Sequence, residues 1–182
     1  MKFYLETSGF INLFDNTVFN KLKENFPEIE EKKIKLCISP LVLEEFFYTL
    51  MYKKDKDSRK IFSKFVGNAG LSIKEKIGNF FSAHGEKFYE FLEDFEIISV
   101  GKETSFIFKE NILKSLTRRV GTYDLLHIYL SSKLDGIVTA DRKLADWVKN
   151  NSEQFQFKKG YLIICYSLKS KNFEIFGLEE GI

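Results

Sequence analysis

Four acidic residues stand where an apolar, strand-like run gives way to a helical pattern, or in the first turns of such a helix. They are Glu6, Glu45, Asp124 and Asp141. Two carboxylates ~5 Å apart repel by about 3 kcal/mol at an effective dielectric constant near ~20, so four charged carboxylates in one cleft require a cation or raised pKa values. Ligand sets made only of oxygen select hard ions such as Mg²⁺ or Mn²⁺. If the acids converge, the sequence therefore predicts a divalent-cation site.

Each acid also has a plainer interpretation. Glu6 and Asp141 each precede a helical pattern and could simply cap it, while Asp124 could favour the positive end of its helix. Glu45 could be exposed or ion-paired. A shared site is favoured by their common position, because an open α/β sheet brings strand ends and helix starts together at one edge. We predict Glu6, Asp124 and Asp141 as direct or water-bridged metal ligands, and Glu45 as an orienting or water-activating group.

Three further residues lie beside the acids in the sequence. Ser8 follows Glu6 by two positions and Thr139 precedes Asp141 by two, so we expect both hydroxyls to position carboxylates or phosphate. His127 follows Asp124 by three positions and shares its side of the helix, where it could pack or orient the carboxylate.

The elements that must position these residues alternate between short apolar runs and longer helical patterns, which is typical of an α/β fold. Crossover helices between the runs favour a mainly parallel sheet covered on both faces. Residues from Asp55 to Phe95 have a helical pattern, and no linker divides the chain, so residues 1–182 are predicted to form a single domain with a helical extension at about 55–95. The apolar runs are Lys2 to Leu5, Lys35 to Ile38, Glu96 to Val100, Gly136 to Thr139 and Tyr161 to Cys165.

Composition narrows the functional classes. The 182 residues carry a net charge of only +2, so a nucleic-acid interaction must depend on local sites. Arg118 and Arg119 lie just before the Asp124 segment, where they could contact phosphate or belong to a solvated face. Two Cys within apolar runs indicate free, buried thiols. Neither a signal peptide nor a membrane span is recognisable, so we expect a cytoplasmic protein without a membrane partner.

In four places and in the right order, the chain resembles the PIN-domain nucleases, in particular their VapC-like toxin members. Tyr4 to Ser8 is similar to the family's opening strand, Ser39 to Glu45 to its second acidic segment, Gly121 to His127 to its third and Ile137 to Arg142 to its fourth. The resemblance covers the first fifty residues and about 117–147. The chain departs from the family at its first acid, which is usually Asp and here is Glu6.

The resemblance implies a three-layer αβα fold with about five mainly parallel strands, Mg²⁺ or Mn²⁺ in the acidic cleft, and cleavage of single-stranded RNA. It further implies a small antitoxin as partner, and a homodimer as one assembly. Three alternatives stay open. The chain could be a housekeeping RNA-processing nuclease, or a catalytically silent module that binds RNA or protein. It could also be an unrelated α/β domain whose acids are helix caps, although no Gly-rich phosphate loop follows any strand.

Overall fold

The computed structural model describes residues 1–52, 70–100 and 121–178, and within these ranges it contains six strands and six α-helices. In chain order they are β1 (Lys2–Leu5), α1 (Thr7–Leu13), α2 (Asn16–Asn25), β2 (Lys35–Ile38), α3 (Pro40–Tyr52), α4 (Ile73–Glu93), β3 (Phe95–Ile97), α5 (Thr122–Ser132), β4 (Gly136–Thr139), α6 (Arg142–Asn150), β5 (Leu162–Ser167) and β6 (Asn172–Gly177).

The strands form one sheet in the order β3-β2-β1-β4-β5-β6. Strands β1 to β5 are parallel to one another, and β6 pairs with β5 in the antiparallel direction. The predicted mainly parallel α/β sheet is therefore confirmed, with β6 as a sixth strand that the sequence patterns did not indicate. Strand β3 ends at Ile97 and not at Val100, because its partner β2 ends at Ile38, which is paired with Ile97.

The order of the strands reverses between β1 and β4. From β1 the chain moves outward to β2 and β3, whereas from β4 it moves in the opposite direction to β5. Helices α1 and α3 pack together, with α2 beside α1 and α4 beside α3, while α5 contacts β1 and β4, and α6 contacts β4 and β5. In sheets wound this way, a crevice opens at the carboxyl ends of the two strands where the order reverses.

Phenylalanine fills the core between the first four helices and the sheet. Phe10 of α1, Phe14 just after it, Phe46 of α3 and Phe88 of α4 make ring contacts with one another. Their centroids are 5.4–6.4 Å apart, and several contacts are edge to face. Such pairs add stability beyond the apolar area that they bury. Helix α4, whose start is fixed by a capping box at Ser72, thereby becomes part of this core.

A close approach between α1 and β4 holds the two central strand ends together. A Cβ atom added at Gly9 would lie 2.7 Å from the carbonyl oxygen of Val138, so only glycine fits there without a shift of the backbone. The approach places the residues that precede Gly9, including Glu6 and Ser8, beside the end of β4.

The structure also bears on the predictions about the cysteines, the helical extension and membrane-spanning helices. Cys37 and Cys165 are free and buried, as predicted. Residues 53–69, which include the first part of the extension predicted at about 55–95, lie outside the described residues, so the division of the chain into domains stays a prediction. Over the ranges that the structure covers, no helix has the length and apolar character needed to cross a membrane.

Candidate active site

Glu6 lies immediately after β1, at the strand-order reversal, and caps the N-terminus of α1. One carboxylate oxygen, Oε1, accepts the backbone N–H of Ser8 at 2.9 Å. The other, Oε2, accepts the hydroxyls of Ser8 at 2.5 Å and Thr139 at 2.7 Å. With only 6% of its surface exposed, Glu6 is held by three donors, two from Ser8 at the start of α1 and one from Thr139 at the end of β4.

The same two hydroxyls connect Glu6 to the segment that carries Asp141. Ser8 Oγ accepts the backbone N–H of Ala140 at 2.9 Å, and Thr139 Oγ1 accepts that of Asp141 at 3.0 Å. The Asp141 carboxylate is exposed and caps α6 by accepting the backbone N–H of Lys143 at 2.8 Å. Ser8 and Thr139, which we expected to position carboxylates, thus contact Glu6 directly and the backbone around Asp141.

Asp124 lies in the first turn of α5 and is half-buried. Its Oδ2 accepts the backbone N–H of Gly121 at 3.1 Å. Burial raises the pKa of Asp124, and the negative charges of Glu6 and Asp141 raise it further, although the Gly121 N–H and His127 act in the opposite direction. Asp124 therefore experiences the charges of both other predicted ligands, as expected for acids that face one cleft.

Glu45 extends from α3 toward the same edge, with 27% of its side chain exposed. Its Oε2 accepts a very short hydrogen bond from the hydroxyl of Thr7 and lies 2.6 Å from Nε2 of His127. His127 is 1% exposed and lies on α5, one turn after Asp124. His127, which binds Glu45, thus belongs to the same helix as Asp124.

A second set of hydrogen bonds lies beneath His127. Its Nδ1 is 2.7 Å from the hydroxyl of Tyr4, which in turn is 2.9 Å from the hydroxyl of Ser39. Tyr4 and Ser39 are both fully buried. Burial raises the pKa of Tyr4, so its phenol remains protonated. Sequence reasoning left Tyr4 and Ser39 out of the site and placed His127 beside Asp124; the structure shows that its partner is Glu45.

The structure brings the four acids to one edge without forming a compact ligand cage. Within residues 1–52, 70–100 and 121–178, no three His, Cys, Asp or Glu side chains are grouped closely enough to hold a metal ion. Glu6, Asp124 and Asp141 are instead linked through hydroxyls, backbone groups and charge. Arg118 and Arg119, predicted to contact RNA, lie outside the described residues.

Two of the three predicted ligands, Glu6 and Asp141, are N-caps of helices, and the third, Asp124, lies in the first turn of α5. Glu6, Asp124 and Asp141 each accept a backbone N–H at the start of a different helix. Glu6 and Asp141 therefore cap their helices and Asp124 lies in a first turn, as the plainer interpretations predict, and these roles do not exclude a shared site. Three helix N-termini that face one edge add partial positive charge, which reduces the repulsion among the acids.

The fold and this edge define a mixed α/β protein compatible with the three-layer αβα arrangement of PIN-like proteins. No family model matches the chain, and no curated protein matches it. Among solved structures it is similar to a chain of VapBC2 from Rickettsia felis, in a crystal structure of VapBC2 bound to a DNA fragment from their promoter. That match has a TM-score of 0.50 and 17% identity, and it covers 92% of this chain and 100% of the other. At this identity, the likeness shows the fold alone.

Proposed function

We propose that the chain is a Mg²⁺- or Mn²⁺-dependent endoribonuclease of the PIN type, which hydrolyses phosphodiester bonds of single-stranded RNA. One observation carries the proposal: Glu6 and the Asp141 segment meet at the strand-order reversal through Ser8 and Thr139. This is the position at which open α/β sheets bind ligands. The PIN-like fold, and a structural neighbour whose name agrees with the VapC-like motifs, support the same class.

The donor set fits a hydrated hard cation. Mg²⁺ usually keeps several waters and is bound by one or two carboxylates together with substrate phosphate, so it does not require three protein ligands in direct contact. Glu6, Asp124 and Asp141 would hold it, directly or through water. A cation bound there would neutralise phosphate charge and acidify water. It would also offset the burial and charge repulsion that raise the pKa of Asp124.

The chain's own residues have separate tasks in this proposal. Ser8 and Thr139 hold the Glu6 carboxylate in one orientation, because they donate three hydrogen bonds to it. Glu45 is partly exposed at the same edge and orients or deprotonates the attacking water. Arg118 and Arg119 contact the phosphates of the RNA. In-line attack at phosphorus would leave a 5′-phosphate and a 3′-hydroxyl.

A second candidate function is a silent module that binds RNA or a protein without cutting. It is favoured by the hydrogen bonding of Glu6, whose two oxygens already accept three hydrogen bonds within the chain. The two functions differ in chemistry and share the same binding edge. RNA binding without product formation, in Mg²⁺ and in Mn²⁺, would select the silent module.

The test is cleavage of a labelled single-stranded RNA by the purified chain with Mg²⁺, with Mn²⁺ and with excess chelator. We expect cleavage that stops in chelator and returns when the cation is restored. Asp124→Asn should remove most of the activity while the fold stays intact, since it deletes a charge and preserves shape. Metal-independent cleavage would contradict the proposal, and so would full activity of Asp124→Asn.

A regulated role is the finer part of the proposal. We propose a cytoplasmic toxin that is neutralised by a small antitoxin and forms a homodimer, with RNA processing as the alternative cellular role. Expression of the chain alone should arrest growth if it is a toxin, and co-expression of a small protein encoded next to it should relieve the arrest. Growth unaffected by an active nuclease would indicate RNA processing.

A further inference from the structure

Both nitrogens of the His127 ring have a hydrogen-bond partner, and each partner comes from a different element. Nε2 lies 2.6 Å from Oε2 of Glu45 on α3, and Nδ1 lies 2.7 Å from the hydroxyl of Tyr4 on β1. The ring itself belongs to α5 and is 1% exposed. A buried imidazole held at both ends has one orientation, so its position on α5 determines where the Glu45 carboxylate is bound.

The partners also determine which nitrogen carries the proton. An ionised carboxylate only accepts hydrogen bonds, so Nε2 of His127 must donate to Glu45. In the neutral ring Nδ1 is then the acceptor, and the Tyr4 hydroxyl donates to it. The Ser39 hydroxyl, 2.9 Å away, donates to the Tyr4 oxygen and completes the chain. Glu45 therefore selects the Nε2–H form of His127, and the Tyr4 hydroxyl complements that form by donating to Nδ1.

We propose that His127, which donates from Nε2 to Glu45 and is held at Nδ1 by Tyr4, is the positioning residue that orients the Glu45 carboxylate toward the cleft. A glutamate side chain has three rotatable bonds, and ordering it has an entropic cost that a fixed partner offsets. Thr7 supplies the second bond to the same carboxylate oxygen. This inference rests on the proposed nuclease for its catalytic consequence, but the orientation of Glu45 exists independently of any reaction.

Two amide substitutions separate this role from simple packing. The side-chain nitrogen of His127→Gln comes near the position of Nε2 and keeps a donor for Glu45. The amide of His127→Asn is shorter, so it reaches the Nδ1 position and Tyr4 but not Glu45. Both variants bury one amide in place of one imidazole. A packing role predicts that they behave alike, whereas a positioning role predicts that only His127→Gln keeps most of the activity.

Kinetics give the first measurement. Loss of an outer partner of a catalytic group typically lowers activity 10- to 100-fold. We expect His127→Asn to lower kcat by about that factor with KM changed less than about threefold, and His127→Gln to lie within about fivefold of wild type. Thermal melting establishes that both variants are folded. Equal losses in two folded variants would overturn the proposal.

Nuclear magnetic resonance gives the second measurement, which requires no activity. At pH 8, ¹⁵N shifts should show His127 as the Nε2–H form, and Tyr4→Phe should keep that form, because the Glu45 carboxylate still accepts from Nε2. Side-chain couplings should show one Glu45 rotamer in wild type and His127→Gln, and averaging in His127→Asn. An Nδ1–H or doubly protonated ring, or an ordered Glu45 in His127→Asn, would overturn the proposal. An inactive wild-type chain with the expected spectra would contradict only the nuclease.

Discussion

Glu6→Asp tests whether the site is built for the longer acid. Asp is shorter by one methylene, which withdraws the carboxylate by about 1.5 Å along the side chain. It still caps a helix well, so the bond to the Ser8 backbone N–H should survive. The bond to Thr139, now 2.7 Å long, should not, because Thr139 lies on the neighbouring strand end. We therefore expect Asp at this position to be no better a catalyst than Glu.

The expected loss of stability follows from the burial of Thr139. This side chain is fully buried, and its other hydroxyl partner, Ser8 Oγ, lies farther away, at 3.2 Å. Loss of the Glu6 acceptor therefore weakens the bonding of a buried hydroxyl, with a penalty of up to about 1–3 kcal/mol. For a chain of this size, that corresponds to a fall in Tm of roughly 2–12 °C, at ~2–4 °C per kcal/mol. Glu6→Ala should be at least as destabilised, and its activity should fall by at least about tenfold, or roughly 1.4 kcal/mol of transition-state stabilisation.

Calorimetry and turnover measurements, each with Mg²⁺ and with Mn²⁺, check both statements. Thr139→Val provides the matched background, because it removes the hydroxyl and nearly preserves the shape. In that background Glu6→Asp should have a smaller effect, with a coupling energy of at least about 0.5 kcal/mol. An unchanged Tm and a higher turnover in Glu6→Asp would mean that the site was built for Asp and that Glu at this position impairs it. That result would refute the expectation that Thr139 requires the longer side chain.

Three further predictions concern the other acids. Asp141→Asn should abolish most RNA cleavage. Asp15→Asn is the matched control, because Asp15 is also an exposed helix cap but does not adjoin the site, and it should leave cleavage unchanged. Equal activities in the two variants would show that Asp141 is only a helix cap. Glu45→Gln should lower kcat by at least about tenfold, whereas Glu44→Gln, at an exposed neighbour, should match wild type in the same assay. The raised pKa of Asp124 means that its folded form holds a proton more tightly than the unfolded chain. As the pH rises from the pKa of Asp in the unfolded chain, ~4, through the raised pKa of Asp124 in the folded chain, the wild type should lose stability and Asp124→Asn should not. The difference in their free energies of unfolding, measured in urea, should therefore grow over that range. A difference that does not change with pH would contradict the raised pKa.

Short-range sequence pattern was sufficient for most of the sheet. Five apolar runs predicted five parallel strands because buried strands of this kind are nearly continuous in hydrophobicity, and connecting helices impose the parallel direction. Strand β6 was missed because Asn172–Gly177 alternates polar and apolar residues over only its first four positions and includes an exposed Ile175, so its apolar pattern is short and weak. Its antiparallel pairing with β5 depends on a turn and not on a crossover helix.

The sequence by itself determined which chemistry is available: the acids, their places at strand ends and helix starts, and the hydroxyls beside Glu6 and Asp141. Only the tertiary structure decided how these groups meet. The bond between Glu6 and Thr139 joins residues 133 positions apart, and that between Glu45 and His127 joins residues 82 apart. Contacts of this kind follow from the order of the strands and the packing of helices against them. A local pattern of three or four residues contains no information about either.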